Sequence, residues 1–331
     1  MTKLLEIRER IRAFYGRFEV YITPAIRFVL ALIAFLMVNG TLGYMRKLDN
    51  PVVALVLALI CTFLPINVTV LLGAILILAH LSALSLEVCA VAFLLFLLLF
   101  LMYFKFSSKN GFNVVLTPVL CQLRIAEILP TTVGLRREPY AVLSTVCGIV
   151  IYYFLKGIHD NASVLGAVEE DAQVSKFGVA LQQIIGNKEL YVVVAAFVLT
   201  TIVVYVIRRQ SFARSWTVAV GVGNAVNLLV LLLGSFWTGA RENILWHVIG
   251  TVAAVIVGLL MEFFLFHLDY SRTEYVQFED DEYYYYVKAV PKVFLSTKEK
   301  QIKQINPRKD SGITKKELAD EFDIDQDLLN D

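Results

Sequence analysis

FNVVLTPVLCQLRIAEILPTTVGLRREP, residues 112–139, is apolar enough for a membrane yet too broken to cross one simply. The residues between Pro118 and Pro130 rise only about 16 Å as α-helix, against a hydrocarbon core of roughly 30 Å. One straight crossing would have to run through a proline, which lacks a backbone donor and clashes with the preceding turn. Two short pieces meeting at a bend are therefore expected. Arg124 and Glu127 lie three apart, on one helical face, where each partly neutralises the other. Irregular backbone at membrane depth needs protein or a water-filled cavity around it. The stretch is either a re-entrant or interfacial hairpin at the centre of the protein, or a surface-lying helix that joins two spans.

The rest of the chain supplies that membrane. Over 331 residues the sequence is 58% hydrophobic and 18% charged, with a mean hydropathy of +0.67, outside the soluble globular range. The net charge of +1 hides a segregation of sign, since residues 1–27 are basic and the end of the chain through Asp331 is acidic. No nucleic-acid partner follows from this pattern. Cys61, Cys89, Cys121 and Cys147 fall in apolar segments without a CxxC or a nearby histidine pair, and read as small buried hydrophobes. No cleavable signal peptide is read at the N-terminus; the first span itself is expected to direct insertion.

Residues 1–24 place Leu4, Ile7, Ile11, Phe14, Phe18 and Tyr21 at alternating spacings of three and four, with Lys3, Arg8, Arg10, Arg12 and Arg17 between them. This is an apolar stripe on a basic helix, suited to anionic lipid in the headgroup layer, before Pro24 starts the turn into the membrane. A heptad seam for a partner helix is the alternative. Clear spans follow at 28–44, 86–104, 140–155, 191–207, 216–236 and 246–266. Residues 51–82 are apolar but cut by Pro65, Ile66 and Asn67, which makes them a second proline-broken hairpin or two thin crossings. In the polar loop 156–189, Glu169, Glu170 and Asp171 precede an amphipathic run of Phe177, Leu181, Ile184 and Ile185, read as a surface helix stopped by Gly186 and Asn187.

Lysine and arginine near the span ends set the orientation. With a cytoplasmic N-terminus the inner side receives Lys3, Arg8, Arg10, Arg12, Arg17, Arg27, Lys105, Lys109, Arg136, Arg137, Arg208, Arg209 and Arg214. The outer side receives only Arg46, Lys47, Lys156, Lys176, Lys188 and Arg241. Both termini are therefore expected in the cytoplasm. The fold class is an all-α polytopic membrane protein, with six clear transmembrane helices plus two proline-broken hairpins, or eight spans, and a small cytoplasmic β-hairpin-like tail.

That tail begins at DYSRTEYVQFEDDEYYYYVKAVPK, residues 269–292, where two β-rich strips, 274–278 and 283–290, flank the acidic turn Glu279 to Glu282. The four carboxylates lack the alternating ligand spacing of a calcium loop and read as a solvated turn. Two strands alone are marginal in water, so the strip is expected to dock on the protein's own loops, on the N-terminal helix or on another copy of the chain. A partner strand can also join its edge, beside Tyr283, Tyr284, Tyr285 and Tyr286. After a lysine-rich linker at 296–312, Thr314 with Glu317 forms a capping box and Ile313 with Leu318 a hydrophobic staple. A short helix over 315–322 is either a docking peptide, presenting Glu317 and Leu318, or part of a disordered end. The chain thus divides into an interfacial helix (1–24), a transmembrane domain (25–268), a β-rich segment (269–295) and a linker with a short helix (296–331).

VVYVIRR at 203–209 and the DYSRTEYVQFEDDEYYYYVKAVPK segment carry a resemblance. On these motifs the chain resembles a family of uncharacterised bacterial multi-pass membrane proteins. The resemblance implies a bacterial plasma membrane and no mechanism.

Catalytic chemistry is not read from these residues. His80, His159, His247 and His267 are scattered, and no HExxH, GxSxG, Walker or Rossmann pattern occurs, so neither an enzyme nor a cofactor is expected. The intramembrane polar residues are Asn67, Arg124, Glu127, Asn224, Asn227 and Glu262. Asn224 and Asn227 share a helix face beside Gly221 and Gly223, where they either line a site or glue helices together. Glu262 either snorkels or pairs with an arginine. Two functional readings stand side by side. One is a transporter or permease with a site at the paired broken hairpins, lined by Asn67, Arg124 and Glu127. The other is a scaffold that recruits cytoplasmic partners through its tail.

Overall fold

Apolar runs with few internal stops dictate long helices, and the chain is built from them. The computed structural model describes residues 2–136, 139–166, 175–210, 214–239, 244–265, 274–279 and 284–289, with side chains for those from 7 to 264 and for Tyr286 and Lys288. Among these residues seven helices are long and apolar enough to cross a membrane. The protein is an all-α, multi-pass membrane protein.

Helix α1 covers Thr2–Leu42, α2 Pro51–Phe63, α3 Ile66–Leu84 and α4 Leu86–Phe106. Pro65 marks the turn between α2 and α3, as its missing donor requires. With 19 residues, α3 rises about 28 Å and is long enough to cross, whereas the 13 residues of α2 rise about 20 Å. The two halves of 51–82 are therefore unequal. Their turn also lies at one end of the bundle: Asn67 accepts a hydrogen bond of 2.6 Å from Tyr103, in the last turn of α4. At the other end His80, near the close of α3, sits 3.1 Å from the side chain of Asn39 in α1 and accepts a bond from the Met45 backbone. Asn39 in turn donates to the Leu48 carbonyl at 2.8 Å, so a polar chain ties the α1–α2 turn to α3. Nearby, burial pushes the Tyr44 phenol up from its ordinary value.

The 112–139 stretch forms two short helices, α5 at Gly111–Gln122 and α6 at Ile128–Arg136. Neither breaks where the sequence places its prolines. Pro118 lies inside α5, and Pro130 occupies the first turn of α6, where a missing N–H costs least. The break is instead a helix stop at Arg124, whose φ of 59° is left-handed. Ile125 N–H reaches the Leu120 carbonyl at 3.0 Å and Arg124 N–H the Cys121 carbonyl at 3.1 Å, the two bonds of a Schellman motif. The expectation that Arg124 and Glu127 share a helical face is corrected accordingly. Both lie in the bend, and neither is the other's partner.

Beyond the bend come α7 at Val142–Asp160, the single turn α8 at Ala162–Leu165, α9 at Lys176–Ile185, α10 at Lys188–Arg208, α11 at Ser215–Thr238 and α12 at Ile244–Leu265. α9 ends at Gly186, and Asn187 caps α10 by accepting from Leu190 N–H at 3.2 Å. α11 brings Gly223 and Gly234 against Val204 and Val192 of α10, which lets those two helices approach closely. The acidic run Glu169 to Asp171 lies outside the described residues.

Contacts assign many of the helix ends to one of two ends of the bundle. At the basic end the start of α5 meets α3 and α4, with Gly111 against Asn67 and Tyr103. There too, Arg208 at the close of α10 donates to the Leu135 carbonyl of α6 at 2.5 Å. Both ends of the 112–139 stretch therefore sit at this basic end. Thr217 near the start of α11 also donates to Glu262 near the close of α12, at 2.7 Å. At the far end, Phe177 N–H of α9 reaches Glu87 at the start of α4, at 3.0 Å.

α1 departs from the sequence reading as well. Pro24 lies within the helix and does not end it. An interior proline kinks a helix by removing one bond. Arg8 lies about 28 Å along α1 from Arg27, yet its guanidinium stands 5.9 Å over Phe263 in the last turn of α12. Since Arg27 donates to the Leu64 carbonyl at the α2–α3 turn, both contacts belong to the basic end. The first half of α1 thus runs across that end, with Arg8 buried and Ile7, Ile11, Phe14, Phe18 and Tyr21 exposed.

Contacts divide the chain into Met1–Leu268 and Asp269–Asp331. In the second unit β1, Glu274–Glu279, pairs antiparallel with β2, Tyr284–Ala289, placing Glu274 opposite Ala289 and Glu279 opposite Tyr284. The acidic turn at 280–282, Tyr283, the linker, Thr314, Glu317 and Leu318 lie outside the described residues, as do the side chains of Tyr284 and Tyr285. Tyr286 is exposed.

Candidate functional site

The bend at Arg124 forms one wall of a chamber of about 490 Å³ enclosed chiefly by α1, α3, α4, α5 and α7. Its long wall is apolar, with Phe35, Val70, Phe96, Leu99, Val115 and Val119 among the lining side chains. Tyr103, buried at the basic end, closes the chamber there. Its hydroxyl donates to Asn67 and lies 3.0 Å from the Ser108 carbonyl, so the closure ties α3, α4 and the approach to α5 together. Toward the far end the lining turns polar. Gln122, Arg124, Lys156, His159 and Asp160 are all exposed, and Glu189 stands beside them. Exposed liners at one end and a buried tyrosine at the other give the chamber a polar mouth at the far end.

Two side chains of the bend are held by the first turn of α12. Arg124 stacks 4.9 Å over the Trp246 ring, an attraction worth roughly 0.5–1 kcal/mol at an exposed site. Glu127 is only 6% exposed, and its Oε1 accepts a hydrogen bond of 2.8 Å from Nδ1 of His247. The second carboxylate oxygen, Oε2, is buried with no hydrogen-bond donor among the described residues. It lies against Gly250, where any Cβ would collide with the carboxylate. Gly250 is thus the gap in α12 that admits Glu127.

A buried carboxylate oxygen without a donor is costly, on the order of 1–3 kcal/mol or more for a charged group. The chamber wall thus carries one carboxylate oxygen that the described residues leave without a donor. The lining charges are mixed: Glu127, Asp160 and Glu189 against Arg124 and Lys156. Among the described residues no three His, Cys, Asp or Glu side chains gather as metal ligands.

Of the residues singled out from sequence, Arg124 and Glu127 line this chamber. Asn67 does not line it but anchors Tyr103, which does. Asn224 and Asn227 lie elsewhere. Asn224 accepts from Thr131 of α6 at 3.0 Å and Asn227 from Thr200 of α10 at 3.3 Å, both buried between helices. They join α6, α10 and α11, with Nδ2 of Asn227 left without an acceptor among the described residues.

Sequence reasoning missed Trp246, His247, Lys156, His159 and Asp160. His247 and Gly250 sit three apart at the start of a span, an ionisable group and a gap on one helix face. That pairing was the available signal for a buried carboxylate opposite. The α7 trio belonged to a stretch read as the beginning of a loop, which hid its helical alignment toward the chamber.

No protein-family model matches the chain, and neither does any curated protein or solved structure.

Proposed function

We propose that this is a transporter-type membrane protein whose solute enters the chamber at its polar mouth and is held at the bend by Arg124 and Glu127. The observation that carries the reading is Glu127, buried in the chamber wall with one carboxylate oxygen lacking a donor. A solute that brings a hydrogen-bond donor to that oxygen and an apolar body to the long wall fits the chemistry. In this reading residues 112–139 are a re-entrant hairpin, since both of its ends lie beside the basic end of the bundle. The helix directions then add up to eight passes, α1 to α4, α7 and α10 to α12, with the basic end in the cytoplasm of a bacterial cell.

Broken helices near the midplane mark the binding sites of many transporters. Only one such break supports this reading, because the α2–α3 turn lies at the bundle's end. Cysteine accessibility over residues 116–132, with 156 and 159 added, tests it in a background lacking Cys61, Cys89, Cys121 and Cys147. Positions 122, 124, 156 and 159 are expected to react with membrane-impermeant thiol reagent from the far side. If no position from 116 to 132 reacts from either side, there is no such site.

A second reading, a scaffold that recruits cytoplasmic protein or another copy of the chain, is favoured by the division of contacts at Leu268 and by the antiparallel β1–β2 pair with exposed Tyr286. Deleting residues 270–331 is then expected to abolish partner capture in a crosslinking pull-down. An unchanged partner list rejects it.

A further inference from the structure

At the basic end, away from the chamber's mouth, a second cavity of about 370 Å³ lies between the α4–α5 turn and the α6–α7 turn. Three of its lining residues are cations: Lys105 in the last turn of α4, Lys109 in the turn that follows, and Arg136 at the close of α6. None of its described lining residues is a carboxylate. Two helices also begin at this wall. α5 starts after Asn110 and α7 after Ala141, and neither receives a side-chain cap. Asn110 turns its side chain to Ser107 Oγ at 3.0 Å instead of capping α5. The positive ends of both helix dipoles thus add to the three cations.

The surroundings fix what kind of anion reaches this place. Along α4, Leu97, Leu98, Leu101, Met102 and Phe104 are exposed, as a face toward lipid chains would be. Phe106 continues that face into the cavity wall, with the Lys105 ammonium 5.2 Å over its ring. Tyr140, also exposed, stands in the wall beside Arg136. Apolar side chains lead up to the cavity and cations fill it, the profile of a phospholipid seen from tail to head group.

We propose that this cavity binds the phosphate-bearing head group of an anionic phospholipid from the leaflet at the basic end. The head group bridges Lys105 and Lys109 on one turn to Arg136 on the other. It therefore clamps together the two ends of the 112–139 stretch, independently of what the chamber binds. The ligand is a membrane lipid and not free phosphate, because the exposed apolar approach along α4 has no use for an inorganic ion.

The test uses the full chain in nanodiscs of phosphatidylcholine with and without phosphatidylglycerol, read by native mass spectrometry of retained lipid and by thermal unfolding. Wild type is expected to retain phosphatidylglycerol over phosphatidylcholine and to unfold at higher temperature with it. Each cation near an anionic surface is worth roughly a factor of five, so Lys105→Gln/Lys109→Gln/Arg136→Gln should weaken retention about a hundredfold. Lys109→Glu alone, on an exposed side chain, covers the case in which the triple variant fails to fold, and should cost about thirtyfold on the same scale. Arg46→Gln/Lys47→Gln/Lys176→Gln at the far end removes equal charge and should keep the retained lipid. Unchanged retention in the cavity variants overturns the proposal, as does its loss in the far-end variant. Displacement of the lipid by millimolar inorganic phosphate also overturns it, by assigning the cavity to a free anion.

Discussion

Arg124 occupies a backbone well that glycine fills at most helix stops of this kind. A side chain there costs on the order of 1 kcal/mol, which the guanidinium's contact with Trp246 partly offsets. Arg124→Gly is expected to leave thermal stability unchanged or raise it by at most about half a kcal/mol, since relief of strain offsets the lost stacking on Trp246. A clear loss of stability would mean that the stacking matters more than the strain. Gly250 gives the complementary experiment. Gly250→Ala pushes the Glu127 carboxylate away from His247 and should cost about 1–3 kcal/mol in thermal unfolding. In the Gly250→Ala/Glu127→Ala double variant the collision is gone, so the two costs should fall well short of adding. Full additivity would show that Glu127 does not sit in the gap. Arg124 and Glu127 stood out in the sequence because charge inside an apolar run is rare. Their partners did not, because Trp246 and His247 are more than a hundred residues away and resemble ordinary interfacial side chains.

Among the elements, most helices were readable from apolar run length alone, and the errors cluster at prolines. Pro24 and Pro118 are carried inside helices, and the true stop at Arg124 shows neither the glycine nor the asparagine that usually announces one. Proline forbids one bond, but neighbouring helices can hold the rest of the element in place. Pro24→Ala should therefore keep α1 helical while straightening it. Spin labels placed at Arg8 and Phe263 are expected to lie closer together in the wild-type background than with Pro24→Ala; equal distances would show that the proline does not set the bend. The hairpin reading of α5 and α6 makes a prediction about sides. Single cysteines at Ser108 and Arg136 should label from the same face of the membrane, whereas labelling from opposite faces would make the stretch a crossing. At the close of α6, Arg208 donates to the Leu135 carbonyl and lies over Trp216. Arg208→Ala should lower stability by about 1.5–3 kcal/mol, the worth of a charge-assisted bond.

For the whole molecule, hydropathy and charge counting told that the chain is a polytopic membrane protein, and they could not tell how the pieces associate. Between lipid-facing helices sequence carries little packing information, because the same apolar side chains serve lipid and protein alike. That is why the chamber was invisible while its two charged liners were not. The contacts also sort the helices into two groups. α5 packs against α7, α1 and α3, whereas α6 packs against α10 and α12. The short bend of 123–127 thus carries the chain from one group to the other within a few residues. In mechanical terms it is a tie-rod: if one group tilts against the other, part of the displacement passes through these few residues. Arg124 on Trp246 and Glu127 on His247 would be the first contacts to slip.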